Sequence, residues 1–243
     1  MVQVLLPIKD FVQAKTRLSG VLAPHERRAL MQAMVEDVLI VLSGHPDIDG
    51  VLLVSDDPAA ELLAGKYGIE AVDERSLGCK GLNGAITAAS QLLVRQGVKS
   101  LLVMHGDVPL LGFEDVTEML KRYQQPDIDV VIAPDERGVG TNSLLFATHQ
   151  MPLFQFGVDS CNKHMQSIGD SGLKVERVDR LGLAMDIDEP ADLHRLVSCL
   201  ESGRGGVYCR QLLIDGGIRQ RLAAMAEYGF EHESFEQNAV SEG

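Results

Sequence analysis

A chain of 243 residues with 45% apolar residues can bury a sizeable core, which sets disorder aside and makes one domain the default. Its formal net charge of -13 sets aside a general nucleic-acid partner, because phosphate backbones are bound through clustered positive charge. Cys79, Cys161, Cys199 and Cys209 lack C-x-x-C spacing and read as free thiols, no apolar run reaches membrane-span length, and Met1 leads straight into a strand-like segment, so a cytoplasmic protein is expected.

In chain order, Val2 to Ile8 reads as a buried strand. A long loop from Lys9 to Ala23 leads to a helix in which Leu30, Met34, Val38 and Val41 recur at helical spacing. Val51 to Ser55 is a second short strand, followed by a helix to about Tyr67 and a strand at Ile69 to Val72. Asp73 to Gly81 is a loop, Leu82 to Gln96 a helix and Ser100 to His105 a strand. This alternation specifies a mainly parallel sheet with helices on both faces. Past a helix from Phe113 to Gln124 the rhythm changes: Val130 to Ala133 and Thr141 to Ala147 are strand-like runs separated only by a glycine-rich charged turn, which predicts an antiparallel insertion. A helix from Ser160, a strand around Val175 and a helix from Pro190 to about Leu200 follow. The fold class is therefore α/β, with residues 1–203 as the domain and 204–243 as a C-terminal extension, helical around Ile218 to Tyr228, that serves as an oligomerisation arm or is simply frayed.

The run Leu101 to Leu111 carries the most chemistry. A buried strand ends in His105-Gly106-Asp107-Val108-Pro109, delivering one carboxylate at the carboxyl end of a strand, where open α/β sheets bind ligands. Gly106 permits close approach or an unusual dihedral, and Pro109 stops the strand. A second acidic turn, Asp186-Ile187-Asp188, is closed by Glu189-Pro190, and alternate residues of an extended segment face one side. Two readings stand for these aspartates: ligands of magnesium, which takes one or two carboxylates plus substrate phosphates, or caps of the helices near Phe113 and Pro190. In a chain this acidic, Lys9, Lys15 and Arg17 concentrate in the first loop, where they could hold a triphosphate and offset charge on a leaving pyrophosphate; the alternative is a solvated loop. Neither a P-loop nor a dinucleotide fingerprint is present. His105 reads as a histidine bonded to backbone, and His164, beside Lys163, as either an acid-binding or a solvent-facing group.

Taken in order, Pro7-Ile8-Lys9, Ala14-Lys15-Thr16-Arg17-Leu18, Ser55-Asp56-Asp57-Pro58, Gly81-Leu82-Asn83, Gly106-Asp107-Val108-Pro109-Leu110-Leu111, Gly140-Thr141-Asn142, Phe156-Gly157 with Ser160, and Leu183-Ala184-Met185-Asp186-Ile187-Asp188 resemble the guanylyltransferase family of coenzyme F420 biosynthesis, from the first strand to about Leu200. The resemblance implies a glycosyltransferase-A-like nucleotidyltransferase fold. It implies transfer of GMP from GTP to a phosphorylated small acid, 2-phospholactate, phosphoenolpyruvate or 3-phosphoglycerate, with release of pyrophosphate. By position it implies magnesium on Asp107, Asp186 and Asp188. It places GTP on the loop containing Pro7, Lys9, Lys15 and Arg17 and on the turn of Leu82 and Asn83, and the phospho-acid on Thr141, Gly157 and Ser160. Lys15, Arg17 and Asp107 would be the catalytic groups.

Three departures stand out: Thr16 where the family often has serine, Gly106 where alanine is common, and Val158-Asp159 where the family's F-G-P-G-S segment has proline and glycine. The expected partners are these two small molecules and a second copy of the chain in a homo-oligomer, with no nucleic acid and no membrane. Other acceptors on the same fold, a molybdopterin or a sugar phosphate, usually go with a glycine-rich first loop, which Lys9-Asp10-Phe11 is not. A non-catalytic nucleotide-binding subunit is disfavoured by the three aspartates.

Overall fold

A computed structural model describes residues 2–8, 11 and 15–224. Seven strands form one sheet in the order β3-β2-β1-β4-β6-β5-β7. The strands are β1 (Val2–Pro7), β2 (Ile48–Ser55), β3 (Glu70–Asp73), β4 (Ser100–Met104), β5 (Val130–Pro134), β6 (Thr141–Ala147) and β7 (Val175–Arg177). β1 pairs in parallel with both β2 and β4, while β6 runs antiparallel to β4 and β5. The expected antiparallel insertion is thus a single strand threaded between β4 and β5.

The helices are α1 (Pro24–Gly44), α2 (Ala59–Tyr67), α3 (Gly81–Arg95), α4 (Phe113–Tyr123), α5 (Ser160–Asp170), the short turn α6 (Leu181–Ala184), α7 (Pro190–Glu201) and the short turn α8 (Val207–Arg210). Strand periodicity divides the core in two. Val4, Leu6, Leu53, Leu102, Met104, Val131 and Leu145 face one side with α1, α2, α4 and α7. Leu5, Leu52, Val54, Leu101, Val103, Ile132 and Leu144 face the other with α3 and α5. Covering both faces is why the strands read as continuous apolar runs; each leucine or valine so buried contributes about 1.5–3 kcal/mol.

Elements match the sequence reading with short shifts. β2 begins at Ile48 rather than Val51, because Ile48 and Gly50 already pair with Val2 and Gln3. Several short turns were not anticipated, among them a 3-10 turn at Thr16–Gly20, the α6 turn and the α8 turn. Beyond 203, Cys209, Leu213, Ile218 and Leu222 are buried in the same core as α1. Buried Asp37 of α1 accepts from the backbone N–H groups of Tyr208 (2.8 Å) and Cys209 (2.9 Å). Gly206 is needed there, since a Cβ would lie 1.9 Å from Asp37 Cγ. The expected helix around Ile218 is present as 218–224, and its continuation to Tyr228 lies outside the described residues. Among the described residues no helix is long and apolar enough to cross a membrane.

The chain crosses from β1 to β2 and β3 on one side and returns to β4 on the other. The carboxyl ends of β1 and β4 therefore flank a topological switch point, the place where such sheets open a crevice.

Candidate active site

Both acidic turns meet Lys15 of the first loop at that crevice. Lys15, whose backbone is left-handed (φ 56°), sends its ammonium between two carboxylates: 2.5 Å to Asp107 Oδ2 and 2.8 Å to Asp188 Oδ1. Burial would lower the lysine pKa, but Asp107 and then Asp188 outweigh it and hold the ammonium above the usual lysine range. Burial pushes Asp107 up, yet Lys15 foremost, with His105 in the same sense, brings it below the ordinary carboxylate range. Asp107 Oδ1 is buried with no hydrogen-bond partner among the described residues. Asp186 stands beside this pair: burial, and then the Asp107 charge, pushes it up to about 6 against donation from Asn142.

The helix-cap reading of the aspartates is not what the structure holds. Gly112 N–H donates to Asp115 Oδ2 (2.9 Å) at the start of α4. Asp192 Oδ2 accepts from the N–H groups of Asp188 (3.1 Å) and Glu189 (2.8 Å) at the start of α7. Asp107 and Asp188 are thereby left to face the crevice. Gly106 does not adopt positive φ; it makes room for the crowded floor, since a Cβ would come within 2.9 Å of Ile8 and 3.1 Å of Val35.

The remaining assigned residues fall around this centre. Pro7 closes β1 and is buried. Lys9 lies outside the described residues. Arg17 is exposed and reaches Glu189 (3.5 Å) rather than an aspartate, and Arg137, which the sequence reading did not single out, binds the other oxygen of Glu189 (3.1 Å). Leu82 packs on the α3 side of the core. The Asn83 amide is engaged with the backbone of Phe156, accepting from its N–H (2.8 Å) and donating to its carbonyl (3.1 Å), so it pins the loop that carries Gly157.

Thr141, Ser160 and His164 form a second, uncharged cluster. Ser160 Oγ donates to Thr141 Oγ1 (3.2 Å), and His164 Nδ1 lies 3.0 Å from the same oxygen. His164 is fully buried, which removes the solvent-facing alternative, and burial pushes its pKa down to about 4. Gly157 (φ 126°) and Asp159 (φ 58°) bracket the approach to α5. Asp159 thus holds a left-handed position where the resembled family has glycine, a conformation that aspartate tolerates better than most residues. Its carboxylate is exposed and accepts from Asn162 (2.6 Å). Asn142, also missed as a site residue, joins the clusters: its side-chain amide donates to the carbonyls of Leu183 and Ala184 (3.1 Å each) and to Asp186 (3.3 Å), while its backbone carbonyl accepts from the backbone N–H of His105 (3.0 Å). Among the described residues, no group of three or more histidine, cysteine, aspartate or glutamate side chains is arranged as a ready metal cluster.

The arrangement offers hard oxygen donors and a lysine beside a neutral hydrogen-bonding cluster, groups chemically suited to a polyphosphate and a second small anion. The family model for CofC-like guanylyl transferases matches residues 2–222. A phosphoenolpyruvate guanylyltransferase of Conexibacter woesei is 37% identical over 83% of this chain and 90% of its own. A 2-phospho-L-lactate guanylyltransferase of Methanothermobacter thermautotrophicus is 33% identical over 86% of this chain and 89% of its own. Among solved structures, a Desulfovibrio desulfuricans G20 protein described as a nucleotide-diphospho-sugar transferase superposes with a TM-score of 0.72 at 20% identity, covering 90% of this chain and 97% of the other. The 4-diphosphocytidyl-2C-methyl-D-erythritol synthase of Anaerococcus prevotii gives 0.59 at 14% identity, over 82% and 96%. These likenesses establish the nucleotidyltransferase-type fold.

Proposed function

This chain belongs to the CofC-like guanylyl transferase family, and from that membership and its site we propose that it transfers GMP from GTP to a phosphorylated small acid, releasing pyrophosphate, in coenzyme F420 biosynthesis. The observation that carries the reading is the meeting of Asp107, Asp186 and Asp188 with Lys15 at the switch point, joined through Asn142 to the neutral Thr141 cluster. An oxygen of the acid's phosphate attacks the α-phosphorus of GTP, a new P–O bond forms, and the α–β bridge bond breaks with its electron pair leaving on pyrophosphate. The phosphate oxygen is already ionised at neutral pH, so no general base is needed; positioning and charge neutralisation do the chemistry.

The carboxylate set suits magnesium: its donors are all hard oxygens, and Asp107 Oδ1 is buried without a partner among the described residues. When bound, the ion would neutralise triphosphate charge and align the reacting oxygens. Asp107 and Asp188 would be shared between that ion and Lys15, whose ammonium, once released, would turn with Arg17 to the departing pyrophosphate. Thr141, Ser160 and the Gly157 backbone would hold the acid. The protein's partners are then two small anions, with neither nucleic acid nor membrane, in the cytoplasm.

The test is pyrophosphate release from GTP with phosphoenolpyruvate, 2-phospholactate or 3-phosphoglycerate, with and without magnesium, and phosphorus NMR of the product. A magnesium-dependent, acid-dependent diphosphodiester is expected. Pyrophosphate release that ignores the acid, or none with any of the three, would reject the reading.

A further inference from the structure

His164 has no role in the chemistry above, yet it is a fully buried histidine bonded at both ring nitrogens. Nε2 accepts the backbone N–H of Gln155 at 2.8 Å. A backbone N–H can only donate, so Nε2 carries no proton and the ring's single proton resides on Nδ1. That proton points along the 3.0 Å contact to Thr141 Oγ1, which makes the imidazole the donor there. The same oxygen also accepts from Ser160 Oγ. A hydroxyl offers two lone pairs and one proton; with both lone pairs taken, Thr141 has only its proton left to give. Edge-on packing against Phe156, with ring centroids 4.9 Å apart, holds the imidazole plane.

We propose that His164 is a positioning residue that locks the Thr141 hydroxyl as a hydrogen-bond donor toward an anionic oxygen of the phospho-acid. This inference rests on the acid subsite proposed above. It explains selectivity in one respect: an acceptor-only phosphate or carboxylate oxygen satisfies the locked hydroxyl, whereas a ligand group that must itself donate meets a proton and no lone pair. It also assigns separate duties within α5, with Ser160 and His164, one helical turn apart, acting on one oxygen.

Two replacements separate the bonds of His164. The amide of His164→Gln reaches the Nε2 position and keeps an acceptor for Gln155 while losing the donor to Thr141; the shorter His164→Asn keeps a donor at the Nδ1 position. In the full chain assayed with GTP and phosphoenolpyruvate, His164→Gln should raise the acid KM about tenfold, with the GTP KM unchanged and His164→Asn recovering most of the loss. In a Thr141→Val background His164→Gln should add nothing. Nitrogen NMR of histidine-labelled wild-type protein should show the Nδ1–H tautomer at neutral pH, a reading that does not depend on any variant folding. If Thr141→Val alone leaves the acid KM untouched, the acid subsite itself is misplaced. If Thr141→Val raises it but His164→Gln does not, or raises both KM values equally, or adds its full effect in the Thr141→Val background, the positioning role fails while the subsite stands. An Nε2–H tautomer overturns it outright.

Discussion

The two halves of the proposed site are built in opposite ways. Around Asp107 the groups are charged and pair only in part: the Lys15 ammonium occupies the space between two carboxylates, Asp107 Oδ1 finds no partner among the described residues, and Asp186 is crowded enough to be pushed up to about 6. Around Thr141 every group is neutral, each bond has a defined donor, and His164 is kept uncharged by burial. On the proposed function the first half would exchange partners when a ligand arrives, whereas the second is already set. A buried ion pair gives little net stability because desolvation offsets attraction, so exchanging one of its members costs less than its short distances suggest. A neutral relay has no such slack, and its value lies in preorganisation.

The contrast is broken most severely by Asp107→Asn. Turnover with saturating GTP and phosphoenolpyruvate should fall by at least about a hundredfold. Circular dichroism should be unchanged, and calorimetric affinity for the acid should stay within about threefold, because the Thr141 cluster shares no bond with Asp107. A large loss of acid affinity would show that the two halves are one. Next in size is Lys15→Ala, which strands Asp107 in a buried setting and should cost about 3 kcal/mol of stability in chemical denaturation. Millimolar magnesium should raise the melting temperature of this variant more than that of the wild type; equal shifts would contradict a carboxylate pair shared by lysine and cation.

The smallest effect concerns Asp186. Its folded pKa of about 6 lies above the unfolded carboxylate value, so between the two the folded state holds a proton that the unfolded chain has released. Stability therefore falls as pH rises through this window, and above about pH 6 the carboxylate is a full burden. Asp186→Asn should stabilise the metal-free protein by about 1–2 kcal/mol at pH 8, allowing for partial exposure, and by nothing near pH 4. A gain that is the same at both pH values would sink this account.

What could be read in advance follows the range of the interactions. The strands, the antiparallel pair and the carboxylate turns were legible because apolar runs and glycine or proline punctuation are local signals. The pairing of Lys15 with Asp107 and Asp188 spans 92 and 173 residues, and the Asn142 anchor spans 41 to 44, distances over which no periodicity speaks. His164 was recoverable. Ser160, Cys161, His164 and Ile168 fall on one helical face, and all are buried, but the adjacent Lys163 drew attention to solvent. Asn83 shows the converse: a polar side chain in a motif segment whose visible bonds go to the backbone of Phe156.

The docking of residues 206–209 reaches beyond α1. Gly206 N–H also donates to the carbonyl of Pro109, in the same turn as Asp107, while Asp37 holds the amides of Tyr208 and Cys209. The lysine that follows β1 meets Asp188 across 173 residues, and the Asp107 turn gains its backbone contact from a segment further along the chain still. A chain cut before Gly206 therefore lacks both the backbone contact that steadies the Asp107 turn and the partners of Asp37, so the last helical turns and the proposed site stand or fall together.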